Sequence, residues 1–257
     1  MANKTLLLDA DVLTYSVGGL KNQNGDPESW PVVVTMLDTM IENMLQATGC
    51  TTATIYISSD DKSNYRIKSA TIQPYKGHRK TEKPYHYQAI RNFLKASREA
   101  IEVFGMEADD ELSIQLMSDK NFVLASIGKD LNNTPGWHYN WSKAKMYKVS
   151  ELEALQNFYK QLLTGDATDN IPGLYGVGPK SSLVEWLDTC DDELRMYNHV
   201  KYQYERRFGN YWRMFLNENG TLLWIKRSRE ENELVNLFED LEAQLIEVNL
   251  NQLSDTN

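Results

Sequence analysis

Three short runs of apolar and β-branched residues mark the first half of the chain: Thr5 to Leu8, Thr54 to Ser58 and Phe122 to Ile127. Runs this short, closed by polar residues, read as buried strands. Between them apolar residues recur at helical spacing, notably over Val33 to Leu45 and Tyr85 to Phe104. Strands alternating with helices predict an α/β fold on a mainly parallel sheet flanked by helices. After Ser150 the pattern turns helical, broken by a Gly/Pro-rich stretch from Gly165 to Pro179. No repeat, low-complexity region or long linker interrupts it.

Each predicted strand runs into acids. Asp9 and Asp11 follow the first, Asp60 and Asp61 the second, and Gly128-Lys129-Asp130 the third. In open parallel sheets the binding crevice lies at the carboxyl ends of the strands, so these acids are expected at one edge. Glu107, Asp109, Asp110 and Glu111 open a further apolar helix, Leu112 to Met117. Acids in a first helical turn favour the macrodipole and need no function on their own. A set gathered at several strand ends is different, because like charges repel unless something positive sits among them. Oxygen ligands without His or Cys suit Mg²⁺ or Mn²⁺, and paired ions of this kind hydrolyse phosphodiesters.

The 257 residues are enough for one large domain or two small ones, and a 41% hydrophobic content supports a real core. Cys50 and Cys190 are far apart and outside any CxxC spacing, which argues against a disulfide framework or a cysteine metal site. The opening apolar run is cut by Asp9 and Asp11, too early for a signal peptide, and no stretch of about 18 apolar residues follows. The expectation is a soluble, unexported protein of the cytoplasm, with no membrane partner.

A net charge of −9 and a pI near 5.0 speak at first against a nucleic-acid partner. The distribution reverses this. Between Lys62 and Lys95 stand nine Lys/Arg against one acid, Glu82, whereas the stretch after Arg229 holds eight acids and no Lys or Arg. A basic strip and an acidic end in one chain still allow DNA to be held at one place.

The most informative stretch runs Gly165-Asp166-Ala-Thr-Asp169-Asn-Ile-Pro-Gly173-Leu-Tyr-Gly176-Val-Gly178-Pro-Lys180-Ser181-Ser182. Asp166 and Asp169 are expected on one face of a helical turn, followed by a Gly-Val-Gly hairpin and a helix with Pro179 near its first turn. Such a loop offers backbone groups to a DNA phosphate, and Lys180 adds charge. A second loop, Tyr75-Lys76-Gly-His78-Arg79-Lys80, combines an aromatic residue with cations ahead of the long helix. The four histidines show no ligand spacing and read as structural or surface residues.

These segments resemble, in order, the motifs of the 5′-nuclease family: flap endonucleases, the 5′-nuclease domain of bacterial DNA polymerase I and phage 5′-exonucleases. The matching stretches are LLLDAD, the acids at Asp60 and Asp61, YKGHRK, GMEADD and GDATDNIPGLYGVGPKSS, spanning about Leu6 to Ser182. The compact length and the run IGKDLNNTPGWHYN look most like the exonucleases of short-tailed phages.

The resemblance implies a PIN-like α/β nuclease domain over 1–160 with a basic arch at about 62–95. A helix–hairpin–helix DNA-binding region over 161–225 and an acidic helical tail over 226–257 would follow. It implies hydrolysis of DNA near 5′ ends with two Mg²⁺ or Mn²⁺ ions, in phage replication or host DNA degradation. Asp9, Asp60, Glu107 and Asp109 would hold the first ion, with Asp110 beside them. Asp130, Asp166 and Asp169 would serve the second, which shares Asp109. Asp60 is preferred to Asp61, which stays open as the alternative, because a one-residue gap then brings Arg66 and YKGHR into register. Tyr75 would stack on a base while Lys76 and Arg79 reach the scissile phosphate, with Lys80 and Lys83 near the strand. Gly173, Gly176, Gly178, Lys180 and Ser181 would hold the duplex, with a K⁺ ion at the loop. The implied partners are DNA 5′ ends, flaps or junctions and RNA–DNA hybrid, and the implied state is a monomer.

One position departs from the pattern. Where the family has Asp-x-Asp after the third strand, this chain has Gly128-Lys129-Asp130. Two rival readings stay open: a non-catalytic or weakly active DNA-binding protein of the same fold, and a PIN-type ribonuclease.

Overall fold

The computed structural model describes residues 4–80, 82–230 and 232–254. In chain order its elements are β1 (Thr5–Asp9), α1 (Ala10–Gly18), α2 (Trp30–Thr48), β2 (Thr52–Ser58), α3 (Tyr65–Ser69), α4 (Tyr87–Ser97), β3 (Ile101–Val103), α5 (Ala108–Ser118) and β4 (Phe122–Ala125). Then come β5 (Gly136–Asn140), β6 (Lys145–Val149), α6 (Glu151–Thr164), β7 (Gly165–Asp166), β8 (Ile171–Pro172), α7 (Ser182–Glu185), α8 (Glu193–Phe208), α9 (Trp212–Leu223) and α10 (Glu233–Ser254). Two compact units result: Met1–Tyr65, Lys80–Ser150 and Ile225–Arg227 form one, and Arg66–Arg79, Glu151–Trp224 and Ser228–Asn257 the other. Among the described residues no helix is long and apolar enough to cross a membrane.

The first unit is a sheet in the order β3-β2-β1-β4-β5-β6. Every pairing is parallel except β5 with β6. The Leu6-Leu7-Leu8 run is continuous because both sheet faces are covered. Leu6 and Leu8 join Leu13, Val17, Leu37, Ile90 and Leu94 on one face, while Leu7 joins Leu112, Leu116 and Leu124 on the other. Each fully buried Leu here contributes roughly 1.5–3 kcal/mol. The helix over α2 begins with Pro31 in its first turn and stops at Gly49, whose φ of 67° suits a left-handed cap and whose N–H bonds Leu45 O.

In the first unit two elements differ from the sequence reading. Tyr85 to Phe104 is not one helix: α4 ends at Ser97, Glu99 turns at φ 53°, and Ile101–Val103 pairs with Tyr56–Ser58 as β3. The antiparallel β5–β6 hairpin was not expected; its turn carries Ala144 at φ 48° instead of an Asn-Gly signal.

The second unit is helical. Phe158, Tyr159, Tyr197, Tyr204 and Leu216 are all nearly fully buried, and Leu234, Phe238 and Leu241 of α10 join the same core. The acidic tail packs through α10. It lays an apolar stripe, with spacings of four and three residues, onto the rest of the unit.

Candidate active site and nucleic-acid interface

In the first unit β1 delivers Asp9 to the carboxyl edge, where it is 1% exposed. Its Oδ1 accepts from the amides of Asp11 (3.1 Å) and Val12 (3.2 Å), capping α1, and Ser126 Oγ donates to Oδ2 at 2.7 Å. Ser126, just past β4, accepts in turn from Gly128 N at 3.0 Å. Burial, and after it the Asp11 carboxylate, push the Asp9 carboxyl up to about 6, against the lowering pull of Ser126. Asp11 accepts from Ser58 N at 3.0 Å and faces Arg91 Nη1 at 3.3 Å. Its carboxyl is also raised, by burial first and with a contribution from Glu107, against the hydrogen bond from Ser58 and the charge of Arg91. Ser58 Oγ accepts from Ala108 N at 2.8 Å, which fastens the start of α5 to the same edge. The ends of β1, β2 and β4 and the start of α5 thus share one hydrogen-bonded rim.

Asp60 enters this rim through cations. Its Oδ1 meets Lys83 Nζ at 3.1 Å and Tyr87 OH at 3.2 Å, and its Oδ2 lies 3.3 Å from Arg91 Nε. Burial raises the Asp60 carboxyl, but the Lys83 hydrogen bond and the charges of Arg91 and Lys83 outweigh it and hold the group below its ordinary value. Asp61 instead accepts from Ser63 N at 2.9 Å in an exposed local turn. Arg91, 2% exposed, also donates to Ser58 O at 2.6 Å. Asp11 and Arg91 were not singled out as site residues. The available signals were an acid two residues after Asp9 and a lone cation among Ile90 and Leu94 on the buried face of α4.

Asp109 sits partly buried in the first turn of α5, and Asp130 begins a short 3₁₀ turn, Asp130–Asn133. Asp110 is fully buried, accepting from Glu107 N at 3.2 Å and Lys226 N at 3.0 Å, so it ties backbone segments together within the unit. Gly128 has no left-handed backbone, and a Cβ there would meet only Ser126 Oγ, at 3.3 Å.

In the second unit Asp166 and Asp169 do not share a helical turn: Asp166 pairs with Ile171 and Gly165 with Pro172 in an antiparallel ladder, while Asp169 lies in the turn, 167–170, that joins the two strands. Gly165 has φ 68°, and a Cβ on it would lie 2.3 Å from Gly173 N; one on Gly173 would lie 2.2 Å from Gly165 N. Only glycine at both positions permits this approach. Between the strands Asp166 Oδ1 accepts from Thr168 N (2.7 Å) and Asp169 N (3.3 Å). Asp169 accepts from Tyr75 OH at 2.8 Å and Arg79 Nη2 at 2.6 Å, with Lys76 Nζ at 3.7 Å. Lys76 N donates to Asp169 O and Asn170 Nδ2 to Pro74 O, both at 2.9 Å. The YKGHR loop is therefore docked on the 166–170 turn. Tyr75 is 9% exposed within the core, which leaves its ring no open face for a base.

The loop from Gly173 to Gly178 closes through Val177 N on Leu174 O (3.0 Å) and Ser181 N on Gly178 O (2.9 Å). Ser181 caps α7, accepting from Leu183 N at 3.3 Å. Because α7 begins at Ser182, Pro179 stands before the helix and not in its first turn. Lys180 and Tyr175 are exposed.

The basic strip is less continuous than its sequence. Arg66 is buried, donating to Leu222 O (3.0 Å) and Trp224 O (2.6 Å); Arg91 is buried among acids; Lys95 pairs with Glu102 at 3.0 Å. Lys62, Lys68 and Lys80 keep exposed side chains. His86 and His138 are buried on backbone carbonyls, and burial lowers His138 to about 4, in keeping with a structural role. Among the described residues no three His, Cys, Asp or Glu side chains are drawn together as a finished metal cage.

No protein-family model and no curated protein matches the chain. Solved structures do. The D15 protein of bacteriophage T5, co-crystallized with metal ions, superposes with a TM-score of 0.61 at 15% identity over 93% of this chain and 98% of that one. The T5 D15 flap endonuclease in a pseudo-enzyme-product complex with DNA and metal ions gives 0.61 at 14% identity, over 93% and 98%. A T5 5′-exonuclease mutant gives 0.55 at 12%, over 94% and 99%. The chain therefore has the fold of these 5′-nucleases.

Proposed function

We propose that the chain is a divalent-metal-dependent 5′-nuclease that hydrolyses DNA phosphodiesters near 5′ ends, flaps or junctions. The observation that carries this reading is Asp9. A fully buried carboxylate beside a second one, Asp11, is costly as an anion without a cation, and carboxylate oxygens are what a hard cation takes. The fold of structures solved with DNA and metal ions supports it.

Asp9, Asp60, Glu107 and Asp109 would hold one ion, with Asp11 bearing on Asp9; Asp130, Asp166 and Asp169 keep the role the resemblance implies for a second. Bound Mg²⁺ or Mn²⁺ supplies an activated water and charge for the departing oxygen. Lys76 and Arg79 address phosphate without reading a base. Tyr75 acts as a positioning residue, because its hydroxyl holds Asp169. The Gly173–Gly178 loop, Lys180 and Ser181 grip a duplex phosphate, with K⁺ at the loop backbone, while Lys80 and Lys83 lie along the entering strand. RNA–DNA hybrid is a further substrate, and the working state is a monomer.

A non-catalytic DNA-binding protein is the second reading, favoured by Gly128 in place of an acid and by the cations seated on Asp60 and Asp169. Release of 5′ label from duplex, flap and RNA–DNA hybrid, with Mg²⁺ and with chelator, separates them. Mg²⁺-dependent release supports the nuclease; DNA binding with no release supports the second reading.

A further inference from the structure

In the second unit, helix α8 ends on two consecutive arginines that turn to two different tyrosines. The Arg206 guanidinium lies over the Tyr202 ring at 5.7 Å, one helical turn back. Arg207, rotated by about 100° on the same helix, lies over the Tyr175 ring at 5.6 Å. Tyr175 belongs to the Gly173–Gly178 loop and is 87% exposed; Tyr202 is 53% exposed, and both arginines are exposed. Two large aromatic rings in solvent, each capped by a guanidinium, are poorly explained by packing. Cations interleaved with open ring faces are what a nucleic-acid backbone and its sugars or bases engage. In the interior of α8, by contrast, Lys201 is committed to Glu242 at 3.1 Å.

We infer that Arg206 and Arg207, with Tyr175 and Tyr202, form a second phosphate-binding station for duplex DNA, next to the one at Lys180. This rests on the proposed DNA-binding function and extends it. The loop alone would hold one phosphate; the arginines lengthen the grip along the backbone without reading sequence.

The test is duplex affinity as a function of salt, for wild type, Lys180→Ala, Arg206→Ala/Arg207→Ala and Arg206→Lys/Arg207→Lys, with thermal melting as a fold control. Each lost phosphate contact lowers the slope of log affinity against log salt by about 0.9, so the double alanine variant should lose roughly 1.8 and Lys180→Ala about half of that. The double lysine variant should recover the slope, since charge is retained. A duplex too short to reach past the loop should show no difference between wild type and the double alanine variant. If wild type and Lys180→Ala behave as expected but the double alanine slope matches wild type, the station is overturned and the DNA-binding reading stands. If wild type binds no duplex, both fall together.

Discussion

Arg79 Nη2 donates to Asp169 Oδ1 at 2.6 Å, so a residue read from sequence as reaching for phosphate is bonded to one read as holding metal. The same pairing recurs at Asp60, which holds Lys83 and Arg91. In each case a carboxylate is balanced by a cation from the basic strip.

Arg79→Ala should lower turnover on every substrate sequence alike, because the guanidinium bonds a carboxylate and the Thr168 carbonyl and has no part in base readout. Rates measured across substrates of differing sequence check this. A sequence-selective loss would contradict it.

The Asp9 carboxyl, raised to about 6 from 3.8, binds its proton more tightly in the native state than in the unfolded chain. Its contribution to stability is therefore complete below about pH 4 and falls as pH rises through about 6. Asp9→Asn should melt several degrees higher than wild type at pH 7.5 without divalent metal, a gain of at most roughly 3 kcal/mol at about 1.4 kcal/mol per pKa unit. Near pH 4 the difference should vanish. Added Mg²⁺ should raise the wild-type melting temperature more than the variant's; equal shifts in both would contradict the role given to Asp9.

Gly128→Asp is sterically open, since the backbone is not left-handed and the new Cβ needs only a few tenths of an ångström from Ser126 Oγ. It should shift the Mg²⁺ dependence of cleavage to lower concentration by adding a carboxylate beside the rim. Superimposable Mg²⁺ titrations of the two proteins would place Gly128 outside the metal site.

Gly165→Ala and Gly173→Ala should each cost at least about 2 kcal/mol, because the added methyl meets backbone at 2.2–2.3 Å. Gly176→Ala, open on all sides but at φ 81°, should cost only about 1 kcal/mol. Urea midpoints for the three variants test the ranking.

What was legible in the sequence was whatever a period or a short motif can carry. Leu6 to Leu8, Thr54 to Ser58 and Phe122 onward announced strands whose acids do share an edge, because parallel strands deliver their carboxyl ends to one side. β3 was hidden because three residues are too few to break a helical period. A three-residue spacing at Asp166 and Asp169 suits a helical turn, yet only Asp166 enters a ladder and Asp169 sits in the turn beyond it. The ladder's geometry is decided instead by Gly165 and Gly173 touching across the turn, a contact invisible in one dimension. The place of Arg91 was equally hidden, since charge alone does not distinguish a guanidinium in solvent from one buried among Asp11, Asp60 and Ser58.

The most direct test of the nuclease itself is Asp109→Ala, assayed beside wild type for release of 5′ label from duplex and flap DNA across a Mg²⁺ titration, with DNA affinity measured in parallel. The wild type should cleave only with metal, and the variant should lose cleavage while binding DNA within about tenfold, since a metal ligand serves transition-state charge more than affinity. Cleavage by Asp109→Ala at the wild-type rate, or wild-type cleavage that persists in chelator, would contradict a metal-dependent 5′-nuclease built on these carboxylates.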